Sequence, residues 1–473
     1  MPSPRSANRN GRRRSLRRDG FRARPGVSSR PAAEVLRQVL STAGVRAAYG
    51  KPFPGLAVTE VADPHVALLL SHAHRAVHGV PAVAHIGGGR IVAVGLRPTL
   101  ATDGPNGDRS SELSLPERRR VIREPDELRT LAPALAEALT GDGLRVELDV
   151  EPSSRVRDGA VALPPGDDEW AEPEPSLLAE LSAAHHVLVL AGPGVINRRA
   201  VGGLRALAAV GRLGVLNTWG AKGVFHWRSR HHWATVGLQQ LDFDLGGLPH
   251  ADVVLAVGLD EAEAPRRLWA QFPHRTVAPE LLGPLAERWG DRGAFSELPP
   301  LRTRLAAVTQ AGWAATGSPL MPSLVTRHYA EVFGHGGLVA ADPGTAGFWV
   351  ARTFATTRPG TVLVPATSIR GWAAACVLVA RLSAPLSPAL AVVDGPVDDR
   401  TRAIVEQGAQ LGIPIAVEAW QADGHTLDPE AHLNRLTDLA CGGGGVLTLA
   451  TDAGQLEQMI AVAGPVRAWT REG

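Results

Sequence analysis

Short runs of Val, Leu and Ala that stop at a glycine, each followed by a longer Ala- and Leu-rich stretch of helical period, constrain this chain more than any other feature. The runs "VLVLAGPG", "VVLAVG", "GLVAADPG" and "ALAVVDG" carry the pattern. A strand covered by helices on both faces has this texture, because neither face meets water. The alternation therefore predicts α/β architecture with mostly parallel sheets.

At 473 residues the chain is too long for one core, and a domain size of ~100–200 residues suggests about three units. A first unit over 31–151 opens on the helix "AAEVLRQVLSTAGV" and the strand "RAAYG". Its second helix, "PHVALLLSHAHRAVHG", has Pro64 placed for the first turn and Gly79 for the C-terminal cap. Residues 152–176, rich in Pro, Gly and acids, are expected to link it to a second unit over 177–315. A third unit occupies 322–473, with strands at "GGLVAAD", "TVLVPAT", "PALAVVDG", "IPIAVEA" and "GVLTLAT".

Hydrophobic residues make up 44% of the chain and charged residues 20%, the balance of an ordinary globular protein. Cys376 and Cys441 are too few for a disulfide framework or a structural zinc site, which favours a reducing compartment. Residues 1–30 hold ten arginines against Asp19 alone and lack an apolar core, so they read as a solvated basic tail, not a secretory signal. Nucleic acid is a weak option for that tail. No window approaches the ~20 apolar residues of a membrane span, and a cytoplasmic protein is expected.

Several motifs admit two readings. "LVLAGPGV" leaves a strand and enters a helix, so its amides could meet a phosphate, or the glycines could simply close a tight turn; Asn197 stands where a third glycine would complete the dinucleotide pattern. His74 and His78 have the i, i+4 spacing of a metal pair, but without a following Glu they read as surface or groove residues. The run "CGGGGVL" lacks the Lys and Ser/Thr of a phosphate loop and reads as a turn before a strand. In the third unit, Asp342 and Gly344 in "VAADPGTAGFW", Ser368 and Gly371 in "PATSIRGW", and Asp394 and Gly395 in "AVVDG" all sit at strand ends. Ligands bind at that end of an open α/β sheet.

In their order and spacing, these segments resemble the thiamine-diphosphate-dependent enzymes of the acetolactate synthase, pyruvate oxidase and benzoylformate decarboxylase type. The resemblance covers the chain after residue 31 and is strongest in "AHHVLVLAGPGV", "GVLNTWGAKGVF", "ATVGLQ" and "ADVVLAVG". Asp342, Gly344 and Trp349 keep the family's D-x-G-x-x-x-x-W spacing, and "VDG" is similar to its G-D-G. It implies three consecutive doubly wound parallel-sheet domains: pyrimidine-binding-like, central Rossmann-like and diphosphate-binding-like. It implies a thiamine diphosphate site at Gly344, Ser368, Gly371, Asp394 and Gly395, with Asp394 on magnesium, and in some members FAD or ADP in the central domain. "GPVRAWT" would be the closing strand of the third domain.

The same comparison puts Pro64 where the family has its catalytic Glu, with Glu60 a substitute only if the register shifts. Arg370 falls on the apolar wedge, Val393 on the first glycine of G-D-G, and Trp420 or Gln421 on the second metal ligand, with Asp423 a turn away. The reading is a divergent, catalytically silent or regulatory relative, assembled as a homo-oligomer or with a catalytic paralogue. The alternative is an active decarboxylase or carboligase of 2-oxo acids with magnesium on Asp394.

Overall fold

The computed structural model describes residues 28–96, 98, 100–102, 111–164, 172–290, 297–441 and 444–470. The basic tail up to residue 27 lies outside them, as does part of the segment expected to link the first two units.

Three large sheets follow one another along the chain. The third contains, in spatial order, the strands Val362–Leu363, Leu338–Ala341, Ala389–Asp394, Ala416–His425 and Gly445–Leu449, all parallel. In chain order this is 2-1-3-4-5, so the direction of winding reverses between Leu338–Ala341 and Ala389–Asp394. At such a switch point the connections leave in opposite directions, and a crevice opens beyond the strand ends. Asp342 and Asp394 stand at its two sides.

The central sheet is also parallel throughout, with His232–Val236, Gly214–Thr218, Val187–Ala191, Val253–Val257 and His274–Val277 in the order 3-2-1-4-5. Its switch point lies between Ala191 and Val257. The expected single helix after "AGPG" is two, Gly194–Asn197 and Val201–Gly211, separated by Arg199 in the left-handed region.

The first sheet is mixed. Thr59–Glu60, Ala47–Gly50 and Ala82–His85 are mutually parallel, whereas Arg90–Ala93 runs antiparallel to both Ala82–His85 and Leu144–Leu148. The cause is local: "IGGG" between His85 and Arg90 is far too short for a crossover helix, so the strand turns straight back as a hairpin. The α/β class holds in all three sheets, with this one reversal. Within the expected linker, Arg155–Arg157 pairs antiparallel with Ser29–Pro31 and ties the start of the first domain to its end.

Two joints fix the domains against each other. The helix Pro64–His78 packs along Trp372–Ser383, where Val66, Leu69, Leu70 and Ala73 share one core with Ala374, Val377 and Leu378. Small side chains let the two helices approach closely, and the core removes apolar surface of both domains from water. At the other joint, Arg352 of Thr345–Thr353 reaches into the central domain and pairs with buried Asp242 at 2.8 Å. Among the described residues no helix is long and apolar enough to cross a membrane.

Candidate cofactor site

A cavity of about 650 Å³ occupies the switch point of the third sheet. Its floor is built from the strand ends and the helix starts that follow them: Asp342, Gly344, Thr345, Ser368, Arg370, Val393, Asp394 and Asp398 line it. Of the residues expected to bind a cofactor, the fold thus brings Gly344, Ser368 and Asp394 together at one cavity. Gly371 and Gly395 are not among its lining residues. Gly371 begins the helix Trp372–Ser383, where an added Cβ would stand 3.0 Å from that of Arg400, and the Gly395 amide extends the ladder to Trp420 at 2.7 Å.

The geometry at Asp394 decides what this floor can hold. Its Oδ2 accepts from the Thr345 amide at 2.8 Å and its Oδ1 from the Ala346 amide at 3.4 Å. These are the orphan donors of a helix start, where an anion would otherwise be received. The carboxylate therefore fills the helix N-terminus from within the chain. Gly344 is what allows it so close: with φ at +130°, an added Cβ would lie 2.2 Å from Asp394 Oδ2. Desolvation raises the Asp394 carboxyl, against the pull of the Thr345 and Ala346 amides. Replacing Asp394 by Ala is expected to leave those amides without their acceptor and cost about 1 kcal/mol, the usual worth of a helix cap; an unchanged urea midpoint would refute the capping role.

Around this carboxylate the cavity is acidic. Asp342 accepts from the Ala373 amide at 2.8 Å. Burial pushes its carboxyl up to about 8, with the Ala373 amide pulling down and Asp398 pushing further up. Asp398 caps its own helix through the amides of Arg400 and Thr401. Among the described residues, Arg370 is the one cationic side chain on the lining.

The other expected site residues lie elsewhere. Pro64 starts its helix behind the Asp63 cap, whose carboxylate also meets Arg400 at 3.4 Å. Glu60 is exposed on a short edge strand, and its carbonyl accepts from Gln407 at 3.3 Å. Neither lines the cavity, and among the described residues none of the first domain does. Trp420 pairs with Asp394 across the ladder, but its indole turns into the core and donates to Tyr329 at 2.9 Å and Glu418 at 3.0 Å. Asp423 is exposed further along the same strand. Among the described residues no three His, Cys, Asp or Glu side chains gather as metal ligands.

His74 and His78 form no metal pair. His74 Nδ1 meets the Tyr49 hydroxyl at 2.8 Å and His78 Nε2 the Ser383 hydroxyl at 2.9 Å. In "AGPG", the amides of Gly192 and Gly194 donate to the carbonyls of Val257 and Gly258. A Cβ at either glycine would strike the Gly258 backbone, at 2.3 Å from Gly192 and 2.6 Å from Gly194. The glycines thus close the central switch point, which is the tight-turn reading and not the phosphate cradle.

The C-terminal segment departs from expectation. "GPVRAWT" forms no closing strand: it makes one bridge, Gln239 with Val466, and then lies over the cavity, where Val466, Ala468 and Trp469 form part of the wall. Trp469 donates to the Pro365 carbonyl at 2.8 Å and meets the Trp219 ring at 5.4 Å. Nothing in its composition distinguishes a wall from a strand, since both need alternating apolar residues.

Residues 176–278 match the family described as the central domain of thiamine pyrophosphate enzymes. The chain carries that family's central domain. The match spans the helix before Val187–Ala191 and the five central strands, and the likeness is to that one domain. No curated protein matches it. The family implies thiamine diphosphate for the third-sheet cavity. Its residues fit that group poorly: the helix amides that would receive a phosphate are held by Asp394, and Val393 and Asp398 line the same cavity.

Proposed function

We propose that this thiamine pyrophosphate family protein is a catalytically silent relative that works as a binding or regulatory subunit, in a homo-oligomer or beside a catalytic paralogue. The observation that carries the reading is the Asp394 carboxylate seated on the Thr345 and Ala346 amides. A diphosphate would have to displace it and then share the cavity with the Asp394 and Asp398 carboxylates, against Coulomb repulsion that a partly dry site screens weakly. Magnesium would relieve this only with a second oxygen ligand opposite Asp394, and the neighbouring strand supplies Trp420 there. Pro64 adds support, because proline carries no proton to exchange with an aminopyrimidine ring.

The test is calorimetry of the full chain with thiamine diphosphate and magnesium, alongside an assay of carbon dioxide release from pyruvate and benzoylformate. No heat at about 1 mM cofactor, equivalent to binding weaker than about −4 kcal/mol, together with no carbon dioxide release, is the expected result. Saturable binding with turnover would replace this reading with an active decarboxylase or carboligase that uses Asp394 on magnesium.

A further inference from the structure

A second cavity, of about 240 Å³, lies where the central domain meets the helix Pro300–Trp313 and the start of the third domain. Lys222, Arg302, Arg352 and His232 reach its wall, and among the described residues no carboxylate does. Arg352 is neutralised from behind by Asp242. Among the described residues Lys222 and Arg302 have no carboxylate partner.

Lys222 is the unusual group. It is only 6% exposed, and its ammonium has one hydrogen bond, to Thr235 Oγ1 at 3.5 Å, the outer limit of such a contact. An ammonium carries three donors, and buried charges are normally paired. Burial and then the charge of Arg352 bring the amine down to about 7. His232 adds no charge: burial, followed by Lys222, Arg302 and His226, holds its ring at about 3. Arg302 donates to the carbonyls of Ser229, at 3.1 Å, and His232, neither of which cancels its charge. The rest of the wall is mostly apolar, with Trp227 and Trp313 meeting edge to face at 5.9 Å and Leu305, Ala306 and Phe354 beside the neutral side chains of Thr235, Thr309, Gln310 and Thr353.

We propose that this cavity binds a small monocarboxylate with an apolar or aromatic body, the carboxylate held by Lys222 with Arg302 beside it and the body packed against Trp227 and Trp313. The site is separate from the third-sheet cavity and stands whether or not that cavity binds thiamine diphosphate. A carboxylate supplies the charge that Lys222 lacks and returns its amine to the protonated state. Affinity consequently falls as pH rises through about 7, where the empty site loses its proton. A phosphate ion would satisfy the cations but leave the indoles uncovered.

The experiment is calorimetric titration of the full chain with benzoate at pH 6.5, against inorganic phosphate and neutral benzamide. Benzoate binds, neutral benzamide does not, and phosphate binds at least about 10-fold more weakly than benzoate. Lys222→Met weakens benzoate by about 10- to 100-fold, the worth of one hydrogen bond to a charged group. Ala306→Trp, on a half-exposed helix face, fills the cavity and abolishes binding without touching either cation. Benzoate binding unaffected by both substitutions would place the ligand elsewhere and overturn the proposal. So would the absence of benzoate binding at about 10 mM, or phosphate binding as tightly as benzoate.

Discussion

Asp242→Ala is expected to destabilise the folded chain by about 3–5 kcal/mol, because it strands the Arg352 guanidinium in the joint between the central and third domains. The pair is fully buried, with side chains 1% and 0% exposed. Asp242 also accepts from the amides of Leu238 at 2.8 Å and Gln239 at 2.9 Å, and Arg352 donates to the Thr235 carbonyl at 2.6 Å and to Gln239 Oε1 at 3.0 Å. Removing the carboxylate leaves a cation in low dielectric with no charge to meet it, a far larger loss than that of an exposed ion pair. The double change Asp242→Leu with Arg352→Met removes both charges and should recover most of the loss, since a buried pair contributes little beyond a well-packed apolar replacement. Urea unfolding of the three proteins checks this. A double variant no more stable than Asp242→Ala would mean that the hydrogen bonds to Leu238, Gln239 and Thr235, and not the stranded charge, carry the effect.

The second large effect is pH-dependent and belongs to Glu263. This side chain is 3% exposed. Its Oε2 accepts from the Gly220 amide at 3.1 Å and shares a short contact with the Thr218 hydroxyl. Burial, with a further push from Asp260, raises its carboxyl to about 8, against the pull of Thr218 and Gly220. A carboxyl raised on folding binds more protons folded than unfolded. Stability is therefore highest below the unfolded value near 4.5 and falls as pH rises towards about 8, beyond which the loss is complete. The shift corresponds to a loss on the order of 3–5 kcal/mol. Glu263→Gln, which keeps the shape and stays neutral, should exceed the wild type by no more than about 1 kcal/mol at pH 5 and by several kcal/mol at pH 9. Denaturation midpoints at the two pH values give the answer, and an equal difference at both would show that Glu263 is ionised in the fold throughout.

These two groups also show what a linear reading misses. Asp242 and Arg352 are separated by 110 positions, and neither sits in a motif; Glu263 lies in the unremarkable stretch "LDEAEAP". Charges with no sequence periodicity become informative only when folding buries them. The third-sheet cavity was more legible. Asp342 and Asp394 both follow apolar strands, and the crevice of a parallel sheet must open at strand ends, so their meeting follows from the pattern once the strands adjoin. Gly371 and Gly395 share the same sequence texture but serve a helix start and a ladder contact, because a glycine before a helix answers equally to a ligand, a tight turn or a close neighbour.

What the sequence determined by itself is the local periodicity: where strands and helices run, and that the strands are covered on both faces. Period and turn chemistry are properties of neighbouring residues, and neighbours are what a sequence displays. Only the tertiary structure decided that Asp394 spends its carboxylate on the helix it might have left open, that Lys222 is walled in without an anion, and that "GPVRAWT" closes a cavity instead of a sheet. Each depends on the desolvation and distance of groups far apart in the chain, and burial is a property of the packed molecule.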